Sequence, residues 1–227
     1  AIAVLLLLST LSFALTERET DRPQWVFSCE AGNDLYAVLK SAEEPVARFD
    51  CPEEAIKKAP GNSPVLILAD RYPEEPISVE AEQIVLAQKK HLRLYIEYPS
   101  ELPGLEITGP HRTSWERGVV SSDAFGPEWK SLDILAIHGC HYVTARSEKS
   151  DIVLARVAGY DSAVYGLPKQ ATPILFQHPD ADILVATTKL SQFITGRYGP
   201  EDAWKIIWQN VLRRLSHDGE IPNLVWT

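Results

Sequence analysis

Two features that would assign this chain to common classes of protein are missing. There is no excess of basic residues: 22 Lys and Arg stand against 31 Asp and Glu, which gives a net charge of −9 and a pI near 5.2. There is also no Gly-rich phosphate loop after the first predicted strand, where residues 29–34 read CEAGND. The first absence argues against nucleic-acid binding through a broad positive field. The second argues against nucleotide binding, so no cofactor is predicted.

Cysteine and methionine are scarce, with three Cys and no Met in 227 residues. Three cysteines leave at least one free thiol. Cys29 and Cys51 follow the first two predicted strands, whose ends would lie close together in a parallel sheet. A disulfide between them and three buried thiols are both compatible with the sequence. No metal site is predicted, because His138 and Cys140 would point to one face of a strand and His141 to the other.

One long apolar run is present, at the start of the chain. Residues 1–14 read AIAVLLLLSTLSFA, which is the length of a signal-peptide core and too short for a membrane span. A polar linker, residues 15–23, follows. We predict an exported protein, periplasmic or extracellular in a bacterium, with no membrane span after signal removal; a buried N-terminal helix or strand is the alternative. Because the chain does not begin with Met, a few residues are expected to precede it.

The first half of the chain alternates between strand and helix patterns. The predicted strands are Trp25–Cys29, Val46–Phe49, Val65–Ala69 and Leu92–Glu97. The helix signals between them are a cap at Asn33, a first-turn proline at Pro52 and the amphipathic segment Val79–Lys90. Four such repeats with short connections predict a three-layer α/β fold around a mainly parallel sheet.

The second half of the chain has many short strand patterns and one clear helix. The strand-like segments are Gly118–Ser121, Leu132–Val143, Ile152–Ala158, Ala163–Tyr165, Thr172–Gln177 and Ile183–Thr187. Because no long helix separates them, we predict additional antiparallel strands here. The last helix begins at Pro200 and carries Trp204 and Trp208 on its apolar face. We therefore predict a single domain over residues 24–216, with 217–227 as a linker to a downstream domain.

Polar side chains follow the predicted parallel strands. In such sheets, ligands bind at the carboxyl ends of the strands. The candidate ligand-binding residues there are Glu30, Asn33, Asp70, Arg71 and Glu97. Lys189, Arg197 and Tyr198 belong to a second polar group before the last helix, which also contains Ser191, and are candidates for contact with an acidic sugar or a neighbouring domain. Helix caps and loop ion pairs are the alternative explanation for both groups.

The run His138-Gly139-Cys140-His141 and the later run His178-Pro179-Asp180 suggest thiol chemistry. A cysteine nucleophile needs a base and a group that orients this base. In these motifs the chain resembles class I glutamine amidotransferases, which have a flavodoxin-like α/β fold. The resemblance implies Cys140 as nucleophile, His178 as base and Asp180 as its partner. The family's Gly-x-Cys-x-Gly turn is absent, however, so the interior of a strand is the alternative for Cys140.

A wider resemblance includes Asp133–Cys140, Val153–Tyr160 and Thr172–Tyr198. These segments are similar to the amidotransferase-like module at the N-terminus of secreted bacterial multidomain glycoside hydrolases. The resemblance implies a non-catalytic accessory role, with the downstream catalytic domain as partner and a glycan as a candidate ligand. The alternatives are a Cys-dependent hydrolase or amidotransferase and a sugar- or solute-binding module. Trp115 and Trp129 are the tryptophans to test for sugar contact.

Overall fold

The computed structural model describes residues 24–42, 44–135, 137, 139–191, 201–217, 219–222 and 224. The predicted signal segment 1–14, the linker 15–23, and Arg197 and Tyr198 lie outside the described residues. No helix in the described part of the chain is long and apolar enough to cross a membrane.

The described residues form four helices and thirteen short strands. The helices are α1 (Asp34–Ser41), α2 (Pro52–Lys58), α3 (Ala81–Lys89) and α4 (Glu201–Leu215). The strands are β1 (Trp25–Ser28), β2 (Val46–Phe49), β3 (Pro64–Ile67), β4 (Ile77–Ser78), β5 (Arg93–Glu97), β6 (Pro99–Glu101), β7 (Thr108–Arg112), β8 (Arg117–Val120), β9 (Ile134–Leu135), β10 (His141–Thr144), β11 (Ile152–Ala155), β12 (Thr172–Gln177) and β13 (Ile183–Ala186).

Nine of these strands form one mixed sheet. Its order is β2-β1-β3-β5-β13-β12-β11-β8-β9. The first five strands are parallel, and each pair from β13 to β9 is antiparallel. The prediction of an α/β fold with parallel strands first and antiparallel strands in the second half is therefore confirmed. We call the end of the sheet where the five parallel strands finish the carboxyl end, and the opposite end the amino end.

Side chains that alternate along the parallel strands build two cores, one on each face of the sheet. Phe27, Leu66 and Tyr95 point to the face that α1 and α4 cover. Val65 and Leu94 point to the face that α2 and α3 cover. Because both faces are covered, these strands are near-continuously apolar, as expected for a parallel sheet between two helical layers.

Local signals explain where the first three helices begin. The Asn33 Oδ1 accepts hydrogen bonds from the backbone N–H groups of Leu35 (3.0 Å) and Tyr36 (3.3 Å), which caps α1. Pro52 stands in the first turn of α2, where its missing N–H costs nothing. In α3, Glu80 and Gln83 form a capping box. This helix starts two residues later than predicted, because Ile77–Ser78 pairs with Pro99–Glu101 as a strand.

Two predictions for individual segments are wrong, and the question that the sequence left open for Cys29 and Cys51 is decided. Leu132–Val143 is two strands in different sheets, because Gly139 takes a left-handed φ of 62° and turns the chain between Ile134–Leu135 and His141–Thr144. Ala163–Tyr165 is not a strand but part of a turn-rich loop. Cys29 and Cys51 are free thiols. No disulfide joins them, because Cys29 packs into the core beside α1 while Cys51 precedes α2 on the opposite face of the sheet.

Candidate functional site

A polar cavity lies at the carboxyl end of the sheet, between the ends of β1 and β3. The order β2-β1-β3 means that the chain leaves these two strands in opposite directions, which opens a crevice at the point of reversal. The cavity has a volume of about 170 Å³. Its lining residues are Glu30, Gly32, Asn33, Asp34, Asp70, Tyr72, Lys189 and Ser191. Of the predicted ligand-binding residues, it brings together Glu30, Asn33 and Asp70.

Glu97 lies beneath this cavity and is fully buried. Its Oε1 accepts hydrogen bonds from the backbone N–H groups of Leu190 (2.7 Å) and Ser191 (2.8 Å) and from the Tyr95 hydroxyl (3.1 Å). Its Oε2 accepts from the Ser191 hydroxyl (2.8 Å) and the Ala69 backbone N–H (3.1 Å). Five donors thus hold this carboxylate. Glu97 therefore ties the ends of β3, β5 and β13 together rather than facing a ligand.

Asn33 also fixes the cavity wall. While its oxygen caps α1, its Nδ2 donates a hydrogen bond to the Ser191 hydroxyl (3.1 Å). Ser191 in turn donates to Glu97. Because each member of this chain has its partners, the wall between α1 and the segment after β13 is preorganised.

Asp70 is the cavity residue whose hydrogen bonding is incomplete. Its Oδ1 is buried and has no hydrogen-bond partner among the described residues. Burial raises the pKa of this carboxyl, and the hydrogen bond from the Glu30 backbone and the nearby Lys189 charge oppose that rise. A buried acceptor without a partner costs about 1–3 kcal/mol. This cost marks Asp70 as a group that would gain from a donor brought by a ligand.

Lys189 supplies the positive charge of the cavity. It follows β13 and lines the same space as Asp70. Among the described residues, no ion pair joins the Lys189 ammonium to a carboxylate. The cavity therefore presents an acceptor at Asp70 and a donor at Lys189, with space between them.

Arg71 is not brought to the cavity. Its guanidinium is exposed and pairs with Glu75, four residues further along the same turn. The alternative interpretation of the strand-end residues as loop ion pairs thus fits Arg71, as helix capping fits Asn33.

Cys140 lies at the carboxyl end of the sheet, beyond the end of β13. Its backbone oxygen accepts hydrogen bonds from the Thr113 N–H (2.9 Å) and hydroxyl (3.1 Å). Val143, in the strand that follows, donates its N–H to the Thr187 oxygen (2.9 Å). Burial raises the pKa of the Cys140 thiol, although the Thr113 and Thr188 hydroxyls beside it partly offset this. The thiol is therefore neutral at physiological pH.

His178 lies at the amino end of the sheet, where β13 begins. Its backbone N–H donates to the Ile183 oxygen (2.8 Å). The ring Nδ1 accepts the Asp180 backbone N–H (3.1 Å), which leaves Nε2 to donate to the Pro103 oxygen (2.8 Å). From Ile183 to Ala186 the strand advances roughly 10 Å, and Cys140 lies beyond its far end. His178 is thus too far from Cys140 to take its proton, and the structure does not form the predicted pair.

A second cavity, larger than the one at the carboxyl end, surrounds His178. It has a volume of about 870 Å³ and lies at the amino end, lined also by His91, Asp180 and His217. Despite these histidines, no group of three His, Cys, Asp or Glu side chains in the described residues could hold a metal ion.

Tyr98 occupies the strained turn that ends β5. Its φ of 50° is unusual for a residue with a side chain. A strained turn at a strand end is where α/β hydrolases expose a nucleophile. Here the Tyr98 side chain is buried, and its hydroxyl donates to the Pro73 oxygen (3.3 Å). The ring also packs edge-on against Tyr72, with centroids 5.0 Å apart. The turn therefore presents no nucleophile.

The two tryptophans proposed for sugar contact differ. Trp129 is buried against Phe125, whereas Trp115 is 79% exposed. Tyr160 and Tyr165 are even more exposed, at 91% and 89%. The sequence does not predict these tyrosines, and it assigns Lys189 and Ser191 to the polar group before the last helix rather than to the cavity at the carboxyl end. No local signal identifies them, because exposure and cavity lining follow from how distant segments pack.

Comparisons with known proteins add little to this picture. No family model and no curated protein matches the chain. Among solved structures, it is similar to a Thermoplasma acidophilum protein described as a GMP synthase subunit. The TM-score is 0.42 and the identity 10%, over 83% of this chain and 92% of that one. At this level of similarity, nothing about that protein's function is carried over. Fold and cavity together define a mixed α/β protein with a polar cavity at a topological switch point.

Proposed function

We propose that this chain is a non-catalytic accessory module that packs against a catalytic domain of a carbohydrate-active protein. The observation that carries the proposal is the separation of Cys140 from His178. A cysteine enzyme needs its thiol and its base within hydrogen-bond reach. Here the two side chains lie at opposite ends of β13, and burial raises rather than lowers the pKa of the thiol.

The turn after β5 supports the same conclusion. A left-handed residue at a strand end keeps the backbone shape of a nucleophile elbow, but Tyr98 fills it with a buried ring. The parallel strands follow the order β2-β1-β3-β5-β13, which corresponds to the 2-1-3-4-5 order of flavodoxin-like sheets. This order supports the proposal that the chain has a flavodoxin-like fold of the amidotransferase-like type without a working thiol site.

A cluster of exposed aromatic side chains supports a docking role. Trp115, Tyr160 and Tyr165, the aromatic cluster, lie on two loops beside β8 and β9. The loops are joined by the Arg156–Glu116 ion pair (2.7 Å) and by a hydrogen bond from Arg117 to the Gly159 oxygen (2.9 Å). Trp and Tyr are the residue types that dominate binding interfaces. Anchored loops hold these large rings in water. When a partner covers the rings, the burial of their apolar surface favours the complex.

The nature of the partner rests on the sequence resemblance. The modules that the chain resembles belong to exported glycoside hydrolases, so we propose a carbohydrate-active domain of the same polypeptide as the partner. We also propose that the protein is exported to the periplasm or the cell exterior and that it has no nucleic-acid partner.

Trp115 fluorescence tests the docking role. The other described tryptophans are at most 7% exposed, so Trp115 dominates quenching by acrylamide once Trp226, which lies outside the described residues, is replaced by Phe. The quenching that Trp115→Phe removes is the contribution of Trp115. We expect this contribution to be large in this chain and small in the longest natural polypeptide that contains it. An equal contribution in both polypeptides would contradict docking through the aromatic cluster.

A further inference from the structure

We propose that the cavity between the ends of β1 and β3 binds a neutral, hydroxyl-rich molecule of monosaccharide size, with Asp70 as hydrogen-bond acceptor and Lys189 as donor. This site is independent of the docking role proposed above. It uses side chains that the fold itself does not need, at the place where doubly wound sheets bind ligands.

The distribution of hydrogen bonds separates structural from ligand-binding groups. Asn33, Ser191 and Glu97 saturate one another and hold the wall in place. Asp70 keeps a buried oxygen without a partner among the described residues, and Lys189 forms no ion pair there. Folded proteins leave few buried acceptors without a hydrogen-bond donor. A buried acceptor without a donor beside a cavity therefore points to a donor that a ligand supplies.

The charges around the cavity select among small polar ligands. Glu30 and Asp70 on the wall and Glu97 beneath it would repel the carboxylate of an amino acid. Lys189 offsets part of the negative charge of Glu30, Asp34 and Asp70, which reduces what a cationic ligand would gain there. A hydroxyl group donates and accepts at once, so two neighbouring hydroxyls on a sugar or cyclic polyol satisfy Asp70 and Lys189 without adding charge.

The size of the cavity agrees with this choice. About 170 Å³ holds one small molecule rather than a chain of sugar residues. A single ring of about twelve heavy atoms held by a few hydrogen bonds predicts a Kd of about 1 mM.

Titration of the ¹⁵N-labelled chain with D-glucose, D-galactose and myo-inositol tests the proposal. L-glutamine and putrescine serve as the zwitterionic and cationic probes. We expect at least one of the three hydroxylated probes to produce saturable shifts in residues 30–34, 70–72 and 189–191. Asp70→Asn and Lys189→Met should each weaken that binding about tenfold. Asp180→Asn, an exposed carboxyl at the amino end, should leave it unchanged.

Three results would overturn the proposal. One is the absence of saturable binding of any hydroxylated probe up to about 50 mM. Another is unchanged affinity in both cavity variants. The third is saturable binding of only L-glutamine or putrescine, which would assign the cavity to charged ligands. Lys189→Met keeps the test decisive if Asp70→Asn does not fold, because Lys189 makes no hydrogen bond to the described residues. Each result leaves the Trp115 quenching test unaffected.

Discussion

The two ends of the same sheet carry different chemistry. At the carboxyl end, a buried network around Glu97 supports a small cavity with Asp70 and Lys189, and Cys140 lies nearby under its threonine neighbours. At the amino end, His178 borders a cavity about five times larger, 870 Å³ against 170 Å³, with Asp180 exposed beside it. Thiol catalysis needs a thiol and a base together. The carboxyl end holds the Cys140 thiol, and the amino end holds the His178 imidazole.

The direction of one strand explains this separation. His178 follows β12, and β12 runs antiparallel to β13. Its carboxyl terminus therefore lies at the amino end of the parallel strands. Had β12 been parallel to β13, His178 would have followed it at the carboxyl end, where Cys140 lies. Motif order along a chain thus says little about a catalytic pair until the direction of each strand is known.

Replacing Glu97 should disrupt the hydrogen-bond network at the carboxyl end of the sheet and produce the largest effect on stability. Glu97→Ala leaves five buried donors without their acceptor, and we expect a loss of about 3–5 kcal/mol in the free energy of unfolding. Urea denaturation followed by circular dichroism measures this loss. Asp180→Ala, the exposed carboxyl at the amino end, is the matched control and should change stability by less than about 0.5 kcal/mol. Similar losses in both variants would remove the proposed difference between the ends.

A substitution at Gly159 tests whether the loop that carries Tyr160 is held in one conformation. A Cβ at this position would lie 1.8 Å from the Ser162 oxygen, and the φ of 132° is one that only glycine adopts easily. We expect Gly159→Ala to cost about 2–3 kcal/mol in unfolding free energy and to shift the Tyr160 resonances.

Gly166→Ala is the control for this loop. Gly166 also has a positive φ of 76°, but a Cβ there meets nothing within 4 Å. Gly166→Ala should lower the unfolding free energy by about 1 kcal/mol, which is the cost of the backbone strain alone. If Gly159→Ala costs no more than Gly166→Ala, the loop is not held as described.

Replacing Asp70 should produce a smaller, pH-dependent gain in stability. Because its folded pKa is raised, the carboxyl favours folding fully only below its unfolded pKa, and this contribution is lost as pH rises through the folded pKa. Asp70→Asn should therefore raise the Tm at pH 7 by no more than about 2 °C, because the carboxyl is only half buried and solvent screens it, and the gain should shrink toward pH 4. Thermal melts at both pH values measure it. A gain that is independent of pH, or an equal gain in Asp180→Asn, would contradict the account.

Much of the fold follows from local sequence signals, and less of the site does. The apolar runs of β1, β3 and β5 and the caps at Asn33 and Pro52 mark the parallel half of the sheet. Strand-end reasoning also finds Glu30, Asn33 and Asp70. It does not distinguish Glu97, which is structural, from the ligand-binding candidates. The hydrogen-bond partners of Glu97 at residues 190 and 191 are more than ninety positions away in the sequence. Lys189 reaches the cavity only through the pairing of β13 with β5, which no local pattern encodes.

The reactivity of Cys140 tests the central claim, that the two ends of the sheet keep thiol and imidazole apart. Alkylation by iodoacetamide is followed from pH 6 to pH 10, with mass spectrometry of the Cys140 peptide, in the wild type and in His178→Gln. We predict a rate that climbs about tenfold per pH unit without levelling off below pH 9 and that is the same in both proteins, because the raised thiol pKa owes nothing to His178. Rapid alkylation between pH 6 and pH 8 that His178→Gln abolishes would contradict the account and restore a Cys140–His178 enzyme.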